Sequence, residues 1–336
     1  MSIALIITIT LVMGVIFVNG WTDAPNAIAT AVSTRSISVR SALIMAVVLN
    51  FIGAFVMTLF NSQVADTISK MVSFGDDLGH AQIALAASLF SIVVWAVGAW
   101  YFGIPTSESH ALIAGLTGSA LAMSGGSIDG AEWTKVLIGL GVSTIFGFGG
   151  GFGIAKGIQK LFRRSNRRKA NRFFKASQVS AAGAMAFMHG AQDGQKFMGV
   201  FMLTLFYNGI VGKVDGGFAI PIWVMALCSL VMGIGTSVGG MRIIKSVGMD
   251  MVKMEKYQGF ASDLGATICL FVASLFGIPL STTHTKTTSI MGVGAAKRVN
   301  SVDWRIVGEM ALAWILTFPG CGIISYLMTK LFLNIF

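Results

Sequence analysis

Long apolar stretches with very few charges dominate the sequence. The 336-residue chain has 54% hydrophobic and 11% charged residues, whereas soluble domains carry about 25% charged residues. A helix needs roughly 20 residues to cross the hydrocarbon core, and ten apolar segments are near or above that length: 3–33, 41–60, 82–102, 103–123, 136–156, 176–207, 218–240, 259–276, 277–295 and 305–334. No period-2 alternation typical of a membrane barrel is visible. We therefore predict an all-α polytopic membrane protein with about 10–12 transmembrane helices.

The charges between these segments predict an orientation. Segment 156–175 holds nine Lys or Arg and no acid, which is nearly all of the net charge of +10. The positive-inside rule places such a segment in the cytoplasm. The acidic connections 61–80 and 124–135 then lie outside, the basic connections 34–40, 241–258 and 296–305 lie inside, and both termini are external. We expect a multi-pass protein of the plasma (inner) membrane, and the clustering of the charge argues against nucleic-acid binding.

Two motifs occur twice, in the same order. NGWTDAPN (19–26) matches HGAQDGQK (189–196), and GIPTSESH (103–110) matches GIPLSTTH (277–284). We predict a first repeat over 1–155, a basic cytoplasmic loop over 156–175 and a second repeat over 176–336. Each repeat has five segments, an odd number, so the second enters the membrane in the opposite orientation. Inverted-topology repeats of this kind are the plan of many secondary transporters.

Segments 3–33 and 176–207 exceed the length of one span and carry polar residues midway. We predict broken or re-entrant helices there, since irregular backbone at membrane depth is tolerated where it is buried in protein or lines a wet cavity. The expected break points are Pro25 with Gly20, and Gly190 with Gly194. The stretches that begin at 103 and 277 are also compatible with half-helices in re-entrant hairpins.

Asp23 and Asp193 occupy equivalent positions of the two repeats. A carboxylate at the bilayer centre costs at least ~2.5 kcal/mol, so an intramembrane acid is a functional candidate by default. Hard oxygen ligands suit Na⁺, and the predicted cation site comprises Asp23, Asn26, Asp193, Asn19 and Gln192, with Na⁺ at Asp23, Asn26 and Asp193. A structural hydrogen bond at a helix break is the alternative.

The second repeated motif predicts an anion site. A proline in the first helical turn followed by Ser and Thr presents backbone N–H groups, the positive end of the helix dipole and hydroxyl donors. Back-bonding of the hydroxyls to helix carbonyls is the alternative. The predicted anion-binding residues are Ser107, Ser109, Ser281, Thr282, Thr283, Lys196 and Gln195.

Other polar residues have less specific interpretations. His110, His284, Glu108 and His189 are candidates for supporting or proton-relay roles. Lys196 and Lys286 each have two interpretations: the lysine contacts an anion, or it neutralises an acid. Asp263 and Glu309 lie near predicted segment ends, so we interpret them as interfacial.

Several classes of protein are excluded or disfavoured. The sequence G-x-x-x-x-G-K-[ST] does not occur, which excludes a P-loop ATPase. The three cysteines lie in apolar segments with unrelated spacing, so we expect no disulfide and no metal site from them. An intramembrane aspartyl protease, with Asp23 and Asp193 sharing a proton, is a remote alternative. We expect that the protein is not an enzyme and that it binds no cofactor.

The paired motifs closely resemble the inorganic phosphate transporter (Pit) family. Its G-x-N-D-x-x-N signature corresponds to Gly20, Asp23 and Asn26, and its P-x-S-T-T-H pattern corresponds fully to 279–284. Thr22 and Gln192 stand where the family usually has Asn, and Glu108 replaces a Ser or Thr, so the coupling ion stays open.

The resemblance implies import of inorganic phosphate by symport with Na⁺ or H⁺, through alternating access between two inverted halves. A sulfate or metal–phosphate permease of the same build is an alternative within transport, and a purely structural membrane protein is one outside it. The expected partners are phosphate, the coupling cation and the lipid bilayer. A monomer and a homodimer both stay open.

Overall fold

The computed structural model describes residues 3–102, 106–213, 217–238, 244–245, 248 and 251–336. The described residues are almost entirely helical: α1 (Ile3–Thr22), α2 (Pro25–Ser33), α3 (Val39–Phe60), α4 (Gln63–Lys70), α5 (Leu78–Tyr101), α6 (Glu108–Ala122), α7 (Gly130–Leu161), α8 (Arg167–Tyr207), α9 (Ile222–Val238), α10 (Lys256–Leu275), α11 (Thr282–Lys297) and α12 (Trp304–Ile335). Strands β1 (Val72–Ser73) and β2 (Ser127–Ile128) form one short antiparallel pair. The all-α prediction is confirmed. The helix start expected at Pro105 and the basic Arg242 lie outside the described residues.

Six described helical stretches are long and apolar enough to cross a membrane: Ala4–Ser33, Val39–Phe60, Leu78–Tyr101, Gly130–Leu161, Lys256–Leu275 and Trp304–Ile335. Helix α9 is apolar and shorter. Helices α6 and α11 have 15 and 16 residues, fewer than the roughly 20 needed to span alone. The chain is therefore a multi-pass membrane protein, and the short lengths of α6 and α11 agree with the predicted half-helices.

The first predicted break is present. Helix α1 ends at Thr22 and α2 begins at Pro25, because proline lacks the N–H that would continue the helical ladder and its ring clashes with the preceding turn. The amide of Asn26 donates to the carbonyl of Asp23 at 3.0 Å, which closes a tight turn. The break brings Asp23 to the junction of two helices.

The second predicted break, at Gly190 and Gly194, is wrong, because α8 continues through both residues. Gln195 stands where the first repeat has Pro25, so the backbone ladder is uninterrupted. The glycines instead allow close helix packing. A Cβ at Gly190 would lie 2.7 Å from the Cα of Asn50, and a Cβ at Gly194 would lie 3.2 Å from the Cα of Ala54, both on α3.

The basic segment 156–175 is not the loop that the sequence predicted. Helix α7 extends to Leu161 and α8 begins at Arg167, so only residues 162–166 connect them. Lys and Arg are good helix formers, and Asn166 caps α8 by accepting from the amides of Arg168 and Lys169. The basic side chains therefore lie on the ends of two helices. The predicted cytoplasmic location of this segment is not affected.

Corresponding elements of the two repeats pack in corresponding pairs. Helix α6 packs along α12 as α11 packs along α7, and α1 packs along α9 as α3 packs along α8. The β1–β2 pairing of Val72 with Ile128 has a counterpart in the bridge between Val252 and Val302. This arrangement brings the starts of α6 and α11 together. The opposite membrane orientation of the two halves stays a prediction.

Candidate functional site

The two hydroxyl-rich helix starts meet at the centre of the molecule. Ser107 caps α6 by accepting from the amide of His110 at 3.3 Å, and Ser281 caps α11 by accepting from the amide of His284 at 3.1 Å. The two capping hydroxyls also hydrogen-bond each other at 2.7 Å. Because helix N-termini carry partial positive charge, two such charges converge here.

One aspartate sits in a triad of Asp23, Asn26 and Thr283, all buried. The Asp23 carboxylate accepts from Asn26 Nδ2 at 2.8 Å and from the Thr283 hydroxyl. Asn26 Nδ2 also lies 2.9 Å from Thr283 Oγ1. Among the described residues, Asp23 Oδ2 and Asn26 Oδ1 have no hydrogen-bond partner.

The other aspartate sits in a triad of Asp193, Lys196 and Ser109. Lys196 Nζ donates to Asp193 Oδ1 at 2.6 Å and to Ser109 Oγ at 2.7 Å, and it also reaches the Leu280 carbonyl. The second carboxylate oxygen, Asp193 Oδ2, accepts from Thr282 Oγ1 at 3.1 Å and lies 3.3 Å from an amide donor of α1. Both Asp193 and Lys196 are fully buried, so the lysine neutralises this aspartate.

The two triads have the same plan. In each, the residue three positions after the aspartate bonds it, and the hydroxyl comes from the half-helix of the other repeat. Thr283 and Ser109 both supply a hydroxyl, and the triads differ in charge where Asn26 corresponds to Lys196. Asp193 therefore has a cationic partner, and Asp23 has only neutral donors among the described residues.

Further acidic and polar groups surround the triads. The Glu108 carboxylate accepts from the Thr22 hydroxyl through Oε1, while Oε2 has no partner in the described part of the chain. Asn19, whose Nδ2 is the α1 donor to Asp193, has a likewise unpartnered Oδ1. The carboxylates of Asp23 and Asp193 lie within 4.8 Å of each other, near enough to repel. With one lysine against three carboxylates, the ionised cluster has a net negative charge.

His189 adds a nitrogen ligand to this cluster. Its Nδ1 lies 2.7 Å from Asn50 Oδ1, and its Nε2 lies 3.4 Å from Asp193 Oδ2. The ligand atoms of Asp23, His189 and Asp193 all lie within 4.8 Å of one another, a spacing that a single cation can bridge. The same buried cluster thus contains most of the predicted cation ligands and most of the predicted hydroxyl donors.

The two predicted glutamines lie away from the triads. Gln192 Nε2 donates to Ser274 Oγ at 2.9 Å, and its Oε1 accepts from the Leu280 amide at 3.3 Å. Gln195 Nε2 donates to the Asn61 carbonyl at 2.7 Å. Both side chains tie α8 to neighbouring backbone, so their contacts are structural.

The histidines of the hydroxyl-rich motifs form a separate, buried pair. Their ring centroids lie 5.8 Å apart in an edge-to-face arrangement. His284 is held by Thr144 at 3.1 Å, and His110 stacks on Phe318 with ring centroids 4.9 Å apart. A cavity of about 10 Å³ lies between His110, Ser109 and Ser281, which is room for about one water.

The sequence interpretation of Asp263 as interfacial is wrong. Asp263 is fully buried and forms an ion pair with Lys286, which is also fully buried. Its carboxylate accepts from Thr30 at 2.8 Å and from Gln178 at 2.8 Å. Of the two interpretations of Lys286, the structure supports neutralisation of an acid. Glu309, in contrast, is exposed, and its interfacial position stays a prediction.

A comparison with known protein families identifies the chain. Residues 19–325 match the model of the phosphate transporter family, which covers both triads, both half-helices and the Asp263–Lys286 pair. The chain belongs to the phosphate transporter family. The resemblance of the repeated motifs to phosphate transporters is thereby confirmed, and the chain is a transporter rather than an enzyme.

Curated relatives of the family match nearly the whole chain. A probable low-affinity inorganic phosphate transporter of Bacillus subtilis is 36% identical and covers 98% of this chain and 99% of its own length. One from Rhizobium meliloti is 38% identical over 93% of this chain and 91% of its own length. A solved structure titled "The sodium-dependent phosphate transporter" has a TM-score of 0.87 and 21% identity and covers 100% of both chains, which shows a shared fold.

Membership of the family removes the protease alternative, and the geometry gives a physical reason. A protease dyad needs two aspartates that share one proton. Here Asp193 is bound to the ammonium of Lys196, whereas Asp23 is bound to a hydroxyl and an amide.

Proposed function

We propose that this protein imports inorganic phosphate by symport with a cation, Na⁺ or H⁺, that binds at Asp23. The observation that carries the proposal is the difference between the triads: Asp193 has Lys196, and Asp23 has Asn26 in the same place. A buried carboxylate with neutral partners only is strongly disfavoured unless a cation or a proton joins it.

The unpartnered oxygens support a cation at this position. Asp23 Oδ2, Asn26 Oδ1, Asn19 Oδ1 and Glu108 Oε2 are all acceptors without a partner among the described residues. Buried polar atoms normally have hydrogen-bond partners. Four hard oxygen atoms without donors fit a positive ligand, and they do not fit an anion.

The phosphate donors in this proposal are the hydroxyls at the starts of α6 and α11. In this structure Thr282 donates to Asp193 and Thr283 donates to Asp23. Ser109 accepts from Lys196. Binding of the cation at Asp23 competes for the carboxylate oxygens, which frees hydroxyls to donate to phosphate. The coupling is reciprocal, so bound phosphate raises the affinity for the cation by the same factor.

The cation also offsets an electrical cost. Moving one negative charge inward against a negative-inside potential costs about 2.3 kcal/mol per 100 mV. Co-transport of one cation per anionic charge removes this cost. Alternating access would arise from rocking of the two halves about the Ser107–Ser281 contact, where the repeats meet.

The test is uptake of radiolabelled phosphate into proteoliposomes, with Na⁺ and pH gradients imposed separately and with sulfate as a competitor. We expect uptake driven by one of the two gradients and little competition by sulfate. Sulfate transport without phosphate transport would overturn the substrate assignment. Phosphate uptake that neither gradient accelerates would overturn the coupling.

The variant that tests the site is Asp23→Asn, which keeps the shape of the side chain and removes its charge. We expect gradient-driven uptake to be lost while the protein stays folded. Asp76→Asn is the matched control, since Asp76 is an exposed acid outside the helices. Wild-type coupling in Asp23→Asn would exclude Asp23 as the cation ligand.

A further inference from the structure

A large cavity lies where α7, α8 and α10 converge at the basic end of the molecule. It has a volume of about 620 Å³, and its polar and charged lining includes Arg167, Lys256 and Gln159, with Phe162 and Phe174 beside them. Arg167 in its lining belongs to the basic run 156–175, which has nine Lys or Arg and no acid. None of these residues takes part in the triads.

An apolar groove lies on α7 and α10 beside the cavity, and Ile154 of the groove is one helical turn from Ile158 of the cavity. The groove has a volume of about 440 Å³ and is lined on α7 by residues 142, 146, 150 and 154, on α10 by residues 265, 268, 269, 272 and 273, and by Phe276 and Ile278 just beyond the end of α10. Ile158 and Phe162, which line the cavity, extend the four-residue spacing of the α7 stripe. Residues four apart share one helix face, so one continuous face of α7 borders both the polar cavity and the apolar groove.

The position along α7 places this face in the bilayer. Helix α7 is a candidate membrane span of 32 residues, which is about 48 Å and longer than the roughly 30 Å hydrocarbon core. Its apolar part ends where Lys156 and Lys160 occur, so we place the cavity lined by Ile158 and Phe162 at the membrane interface. Phe162, Phe174 and Tyr257 cluster there, with ring centroids 4.9 to 6.1 Å apart, as aromatic residues do at membrane interfaces. The groove lies deeper, and its residues Phe146 and Ile268 are 62% and 49% exposed.

We propose that this face binds an anionic phospholipid, with its phosphate headgroup in the cavity and an acyl chain in the groove. Basic pockets between membrane helices on the cytoplasmic side suit anionic headgroups, and a groove of exposed apolar side chains suits a hydrocarbon chain. A site for a free anion would use the cavity and leave the groove without a role.

One acid lies in the lining. Glu255 caps α10 through a capping box with Gln258, and its carboxylate lies 3.7 Å from the Lys297 ammonium. Lys297 partly offsets its charge, and Arg167 and Lys256 in the lining outnumber it. The net field of the cavity is therefore positive.

The experiment is a lipid titration of the full-length protein in detergent, with occupancy read by native mass spectrometry. The probes are dioleoyl phosphatidylglycerol, dioleoyl phosphatidylcholine and glycerol phosphate. The headgroup variant is Arg167→Gln/Lys256→Gln, and its control, Lys213→Gln/Lys330→Gln, removes the same charge elsewhere. The groove variant is Gly150→Leu, and its control is Gly149→Leu, whose Cβ position has no described atom within 4 Å.

We expect phosphatidylglycerol to bind more tightly than phosphatidylcholine. The headgroup variant should weaken phosphatidylglycerol about thirtyfold, from about 1 kcal/mol per basic side chain, while its control should bind like the wild type. Gly150→Leu should weaken both lipids, whereas Gly149→Leu should not. The proposal is overturned if both lipids bind equally, if the headgroup variant matches its control, or if glycerol phosphate competes as well as the intact lipid. Should Gly150→Leu not fold, Ile268→Trp tests the groove in the same assay.

Discussion

The buried ion pair between Asp263 and Lys286 makes a sharp prediction about stability. It lies about one helical turn from the first triad, since Thr30 on α2 follows Asn26 by four residues and Lys286 on α11 follows Thr283 by three. Both partners are fully buried. The substitution Asp263→Asn removes the charge that balances Lys286 and leaves its ammonium with the Thr30 hydroxyl at 3.0 Å.

The expected loss follows from the burial of both charges. Removing one partner of a buried pair costs about 3–5 kcal/mol, because the other charge is left uncompensated, whereas replacing both partners is often neutral. We therefore expect Asp263→Asn to destabilise strongly and Asp263→Asn/Lys286→Met to recover most of the loss. At about 2.1 cal/mol/K of unfolding entropy per residue, a chain of 336 residues shifts by about 1.4 °C per kcal/mol, so the single variant should lower the unfolding temperature by about 4–7 °C.

The assay is thermal unfolding of the purified protein in detergent, followed by tryptophan fluorescence, for the wild type, both single variants and the double variant. Glu132→Gln is the control, since its pair with Lys135 at 2.8 Å is partly exposed, and such pairs contribute about 0–1 kcal/mol. A double variant that is as unstable as the sum of the two single variants would refute the reasoning, because it would mean that the two charges do not depend on each other.

Three further predictions concern the triads and their packing. Asn26→Lys gives both triads a lysine and should make phosphate uptake independent of the coupling cation, while Asn26→Gln should not; cation-dependent uptake in a folded Asn26→Lys protein would contradict this. Ser281→Ala removes the hydroxyl that caps α11 and hydrogen-bonds Ser107. It should lower the free energy of unfolding, measured by thermal unfolding, by about 0.5–2 kcal/mol. Gly190→Ala should lower the free energy of unfolding by about 1–3 kcal/mol, because the new methyl group overpacks against α3. Gly153→Ala should leave the free energy of unfolding unchanged, since apart from adjoining backbone of α7 no described atom lies within 4 Å of its Cβ position. Equal stability of the two variants would contradict the close packing of α8 against α3.

Repetition made the centre of the site predictable from the sequence. Asp23 and Asp193, and the hydroxyls of 107–109 and 281–283, recur at matched positions, and the structure brings them into one buried cluster. The break at Pro25 was predictable because proline acts locally on the backbone. The supposed break at Gly190 was not a break, since a glycine is tolerated inside a helix when a neighbouring helix packs closely against it.

The two glutamines show what the motif alone did not separate. On a helix, residues three and four apart share a face, and residues one and two apart do not. Lys196 and His189 lie three after and four before Asp193, and both contact it. Gln192 and Gln195 lie one before and two after it, and both bond elsewhere. The continuity of α8, which the sequence interpretation missed, is what makes this rule apply.

The Asp263–Lys286 pair could not be located from the sequence, because its partners come from α10 and α11 and its other donors come from α2 and α8. The available signal was the position of Asp263 inside an apolar segment, which by itself indicates a buried partner. Which lysine supplies that partner depends on helix packing.

The two triads share one geometry but differ in charge, and these two facts have different consequences for the proposed transport. If the two halves exchange conformations during a cycle, each triad takes the geometry of the other, and the Ser107–Ser281 contact stays at the centre. Lys196 cannot be exchanged, because it belongs to one half only. In the proposed cycle Asp193 is therefore neutralised in both conformations, and Asp23 requires an external cation in both. Under this proposal the repeated scaffold supplies the motion, and the charge difference between Asn26 and Lys196 supplies the requirement for a coupling ion.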